Sequence, residues 1–72
     1  MTQSFAEQVQ DRVTLSITRV VNVSDFKCSE VDGLFVLEGQ VQTRDEAEMC
    51  ALVARLVPGV GKVKNKVVAR VR

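Results

Sequence analysis

Phe5, Val9, Val13 and Ile17 recur at every fourth position, the spacing that lines one face of a helix. Ser4 and Glu7 precede this run in the arrangement of a capping box, with a hydroxyl at the cap and a carboxylate three residues on. The two signals together predict a helix over residues 4–18. Val13, Leu15 and Ile17 also alternate, and the stretch is rich in β-branched residues, so a strand competes there. Residues 20–25 read as a connection.

The period then drops to two. A first strand is expected over 26–31, with Phe26, Cys28 and Glu30 on one side. Asp32-Gly33 is a hairpin signal, since glycine tolerates the positive φ that tight turns need. A second strand is expected over 34–41. Phe35, Leu37 and Val41 form one face of it, and Gly39 interrupts that face. A glycine there suggests a bulge or a helix lying close to the backbone.

Thr43 and Glu46 form a second capping box, with Asp45 and Glu48 nearby. Ala47, Cys50, Ala51, Ala54 and Val57 then keep helical spacing over 44–57. This face is built of small residues, which lets a helix sit close to a sheet. Met49, Leu52, Val53 and Leu56 widen the apolar surface beyond one stripe. Pro58-Gly59 ends the helix, with Val60 beyond. A last strand, over 62–71, alternates Val63, Asn65, Val67, Ala69 and Val71 with Lys62, Lys64, Lys66, Val68, Arg70 and Arg72.

The order is helix-strand-strand-helix-strand. This predicts one α+β domain over residues 1–72, a three-stranded mixed sheet with two helices on one face. The hairpin pair is antiparallel, and the strand-helix-strand unit favours a parallel pair. By strand parity, Leu34, Val36 and Val68 share the uncovered face with the lysines.

The run Asp32 to Val41, followed by Thr43 to Val67, resembles a BON domain, a family named for bacterial osmotic-stress and nodulation proteins. The residues that carry the likeness are Asp32-Gly33, Leu37-Glu38-Gly39-Gln40-Val41, Thr43 with Glu46, Pro58-Gly59-Val60, and Val63-Lys64-Asn65. Each piece is short; their order and spacing make the pattern. The resemblance implies the same five-element fold and a non-catalytic module that binds phospholipid or a membrane surface. It also implies company, since such domains commonly occur in tandem or attached to others in exported envelope proteins.

Charge sharpens this picture. Net charge is +1, yet residues 1–60 hold five basic and nine acidic side chains, and residues 61–72 hold five basic ones and no acid. Lys62, Lys64, Lys66, Arg70 and Arg72 are therefore the candidate ligand-binding residues, for an anionic surface. The bland alternative is a lysine row that keeps an exposed sheet soluble and unpaired. An anionic phospholipid head group is the first expected partner. A protein partner or a second copy, seated on Leu34, Val36 and Val68, is the alternative. Nucleic acid ranks lower, because single-strand binders add aromatic platforms, and Phe26 and Phe35 belong to the core faces.

Catalytic chemistry finds little support. The chain has no histidine, so no serine, threonine or cysteine has that base beside it. Two cysteines and no histidine do not make a four-ligand zinc site. Gly59-Val60-Gly61-Lys62 lacks the spacing of a phosphate loop and precedes a strand rather than a helix. Asp45, Glu46 and Glu48 are expected to serve the helix start rather than a metal. No cofactor and no catalytic residue is expected.

The first ten residues lack a basic start and an apolar core segment, so no secretory signal is read and a cytoplasmic location is expected. A periplasmic location follows instead if the chain is the excised domain of an exported protein. In the cytoplasmic reading Cys28 and Cys50 are expected to be reduced thiols rather than a disulfide.

Overall fold

The computed structural model describes residues 4–70 of the 72. It contains α1 (Phe5–Val20), β1 (Ser24–Val31), β2 (Leu34–Val41), α2 (Arg44–Leu56) and β3 (Lys62–Ala69). The sheet order is β1-β2-β3, with β1 antiparallel and β3 parallel to the central β2. This is the expected α+β fold, a mixed sheet in the order helix-strand-strand-helix-strand.

Ser4 caps α1, its Oγ accepting the Glu7 N–H at 3.2 Å. The helix outruns the expected 4–18 and continues through Val20, and β1 opens at Ser24. The connection is therefore shorter than residues 20–25. Packing explains the extension, because Val9, Val13, Ile17 and the cap residue Val21 are all buried along one line. The Val21 N–H closes on the Ile17 carbonyl at 2.8 Å. The competing strand loses because the alternation of Val13, Leu15 and Ile17 does not match burial, Leu15 being 53% exposed. Thr14 and Thr18 accommodate the helix by donating their hydroxyls to the carbonyls of Gln10 and Thr14. Phe5 departs from the expected face: it is 68% exposed.

The hairpin turn has positive φ at both central residues, 50° at Asp32 and 83° at Gly33, as a two-residue turn matching sheet twist requires. Glu30 ties it down by accepting the Gly33 N–H at 2.6 Å. At Gly39 the sheet holds a bulge: the register slips between Ser24 and Lys27 on the facing strand, and Asp25 takes φ 53°. A Cβ on Gly39 would lie 2.8 Å from Val23 Cγ2 and 3.2 Å from the Ser24 carbonyl oxygen. The close neighbours are the Val23 side chain and the bulged β1 backbone, not a helix.

At α2 the capping box is complete. Thr43 Oγ1 accepts the Glu46 N–H, and the Glu46 carboxylate accepts the Thr43 N–H, both at 3.1 Å. Cys50, Ala54 and Val57 are buried, and Ala47 packs against the same core. The small face lets α2 lie across β2 and β3, while α1 lies on β1 and against α2. Met49, Leu52 and Leu56 do not extend the buried face; they are exposed. The helix ends at Leu56 rather than 57, and Gly59 turns the chain with φ 97°. Its missing Cβ leaves room for Val9 and Phe5, whose atoms would lie 2.8 and 2.9 Å away. Val60 packs at the core margin and Pro58 stays exposed.

Candidate functional site

Parity decides what the uncovered sheet face carries. Inward, β3 aligns Val63, Asn65, Val67 and Ala69 with Phe35, Leu37, Gly39 and Val41 of β2. Outward, it aligns Lys62, Lys64, Lys66 and Val68 with Leu34, Val36, Glu38 and Gln40. The three lysines thus form a column along the β3 side of the open face. Same-face residues on a strand are about 6.6 Å apart. All three are exposed, and none of their ammonium groups hydrogen-bonds or ion-pairs with another described residue.

The β1 register adds a residue that the reading of charge along the tail missed. Lys27 pairs with Glu38, so it stands on this face too. The placement of Phe26 and Cys28 on the inward side already implied it. The same row brings in a carboxylate: Glu38 stands between Lys27 and Lys66. The tail segment itself carries no acid, so the carboxylate that interrupts the cations comes from the neighbouring strand. Among the described residues of the three strands, four lysines against one carboxylate leave the face with three net positive charges.

Leu34 and Val36 occupy the middle of the face and are half-buried between their neighbours. Val68 is 57% exposed, and Val31, beside Leu34, is exposed as well. The apolar and cationic residues therefore share one uncovered surface, as parity implies.

Arg70 is set apart from the lysine column. Its N–H continues the ladder by donating to the Val41 carbonyl at 2.7 Å. Its residue lines a polar hollow at the end of the sheet with Asn22, Ser24, Gln40 and Gln42. Arg72, also a candidate, lies outside the described residues.

The outer edge of β3 carries a device of its own. Arg70 N–H points toward β2, so the alternate residues Val63, Asn65, Val67 and Ala69 direct their backbone groups outward. Asn65 Oδ1 accepts the Val67 N–H at 3.2 Å, while its Nδ2 donates to the Ala47 carbonyl of α2 at 2.8 Å. One amide side chain thus pins strand to helix and occupies an edge donor that another chain could otherwise use.

The remaining candidate chemistry is accounted for locally. Glu46 is held in the capping box. Among the described residues no three metal-ligating side chains come together. Cys28 and Cys50 are free thiols. Burial pushes both thiols up, and the Glu46 carboxylate adds to the effect at Cys50. Such thiols stay protonated near neutrality, the reverse of an activated nucleophile. No helix of the described residues is long and apolar enough to cross a membrane.

Comparison with known proteins yields no family-model match and no match among curated sequences.

Proposed function

We propose that this protein is a BON-like, non-catalytic binding module that meets anionic phospholipid surfaces through its open sheet face. One observation carries the reading: Lys62, Lys64 and Lys66 stand in a column on an uncovered face, with Lys27 across the sheet. A bilayer presents phosphates in a plane, and a flat sheet with cations at strand spacing meets a plane without rearrangement. The phenylalanines argue against nucleic acid as the anion. Phe35 is buried, Phe26 packs against the core, and neither offers a stacking platform on this face. The hydroxyls of Ser4, Thr14, Thr18 and Thr43 serve helix backbone or caps, and the thiols are protonated, which supports the absence of catalysis.

Magnitude sets how the module works. Each cation near an anionic leaflet contributes about 1 kcal/mol. Three net charges then give about 3 kcal/mol, which is weaker than a millimolar dissociation constant. One domain alone holds a membrane only transiently. Useful residence needs several copies on one surface, where each later contact is intramolecular.

Vesicle co-sedimentation at low ionic strength tests this. Vesicles with anionic lipid should pull down the protein, neutral vesicles should not, and rising salt should release it. Lys64→Glu with Lys66→Glu should reduce the bound fraction at least tenfold, by about 1.4 kcal/mol or more. Equal retention by neutral and anionic vesicles, or none by either, would remove the lipid reading. The surface formed by Leu34, Val36 and Val68 would then stand as a seat for a protein partner or a second copy.

A further inference from the structure

The helical layer, opposite the lysine face, carries a second surface that the lipid reading leaves unused. A groove of about 490 Å³ runs between α1 and the end of α2. Its floor and walls are aliphatic, with Leu15, Val20, Val53 and Leu56 among them. Leu56 is 82% exposed and Val20 61%, so large side chains face water where two helices could have buried them. Arg12 and Arg19 stand on the α1 wall, and among the described residues no carboxylate lines the groove. Neither guanidinium bonds to another described residue.

We propose that this groove seats a short amphipathic helix of a partner protein, one that carries carboxylates beside its apolar stripe. Shape and charge both select this occupant. A concave channel between two helices accepts the convex ridge of a third, at the usual interaxial spacing of about 8–10 Å. The groove is open, and the spacing of its two arginines, rather than its depth, favours a helix over lipid. Arg12 and Arg19 are seven residues apart on one helix, so they recur on the same side at about 10 Å. A partner helix with acids at i and i+7 would match them, with an apolar residue between to meet Leu15. This is the helix-in-groove mode, read as apolar anchors at i, i+3 or i+4 and i+7. The arginines then select acidic partners and reject basic ones.

The test uses the full chain and two designed peptides of about 14 residues, long enough to span such a groove. They share the same leucines at helical spacing; one carries glutamates beside them and the other lysines. Titration into labelled protein should show the acidic peptide binding with a dissociation constant on the order of 100 µM and the basic one at least tenfold weaker. Amide shifts should concentrate at Leu15, Val20 and Leu56. Arg19→Glu and Leu56→Glu should each weaken the acidic peptide about tenfold or more. Leu56 is largely exposed, so its variant leaves the core intact, which circular dichroism checks. Lys64→Glu, on the other face, should leave peptide binding unchanged and separates this proposal from the lipid one.

Four results would overturn it. They are no binding below about 1 mM, equal binding of both peptides, shifts confined to the Lys62–Lys66 column, or a self-associated protein whose dimer dissolves on Leu56→Glu. Loss of anionic-vesicle binding in Arg19→Glu and Leu56→Glu, with no peptide bound, would assign the groove to lipid and overturn it as well.

Discussion

The central strand shows two surfaces made from one stretch of eight residues. Its inward side chains, Phe35, Leu37 and Val41, are buried beneath two helices. Its outward ones, Leu34, Val36, Glu38 and Gln40, have no covering layer. Leu34 and Leu37 are the same residue type in the same strand, yet one is half-exposed and the other is fully buried. Residue identity did not decide this. Parity relative to the helices did, and it buries one face and leaves the other to solvent.

Removing a side chain from each face measures the difference directly. A chain of 72 residues has a total stability of about 4–10 kcal/mol. Leu37→Ala should cost about 2–5 kcal/mol, since helix and strand cannot collapse onto the gap. Val36→Ala should cost under about 1 kcal/mol, because solvent already reaches that site. Urea denaturation midpoints compare the two. Equal losses would mean that the open face is covered in solution.

Gly39 probes the inward side from the backbone. Gly39→Ala adds a methyl against Val23 and the Ser24 carbonyl, at φ 156°, and should destabilise by about 1–3 kcal/mol. A neutral result would show that the bulge yields, and that β1 is held less firmly than its register suggests.

The smallest effect belongs to the inward thiols. Both have folded pKa values above the ordinary 9.0. The folded state therefore holds these protons more tightly than the unfolded chain does. Their contribution is fully present below pH 9 and is lost as pH climbs through the raised folded values. Stability should be flat from neutrality to that point and then fall, more steeply than in a variant with Cys28→Ala and Cys50→Ala. Identical slopes would mean that neither thiol senses the core.

Much of the fold was legible because local rules agreed. Thr43 with Glu46, the Asp32-Gly33 turn and the Pro58-Gly59 stop marked element ends by chemistry that needs no tertiary partner. The end of α1 was less legible. Nothing local halts the helix before Val20, and the burial of Val21 against the core sets its limit. Exposed Leu56, Leu52 and Met49 fit the helical pattern as well as buried residues do. Only the position of α2 against its neighbours shows which side stays wet. At the candidate site, the lysine column was visible as alternation within one strand. Parity also implies that Lys27 and Glu38 share this face, but their nearness to Lys66 was not legible, because it depends on register across three strands.

By itself, the sequence determined the alternation that separates cations from aliphatics and the caps that start and stop each helix. These depend on contacts within a few residues. Tertiary structure alone decided that Glu38 stands among the lysines, that Asn65 covers the β3 edge, and that Arg12 and Arg19 flank an apolar groove. Each of these joins residues from different elements, and their separation is set by how strands register and helices pack.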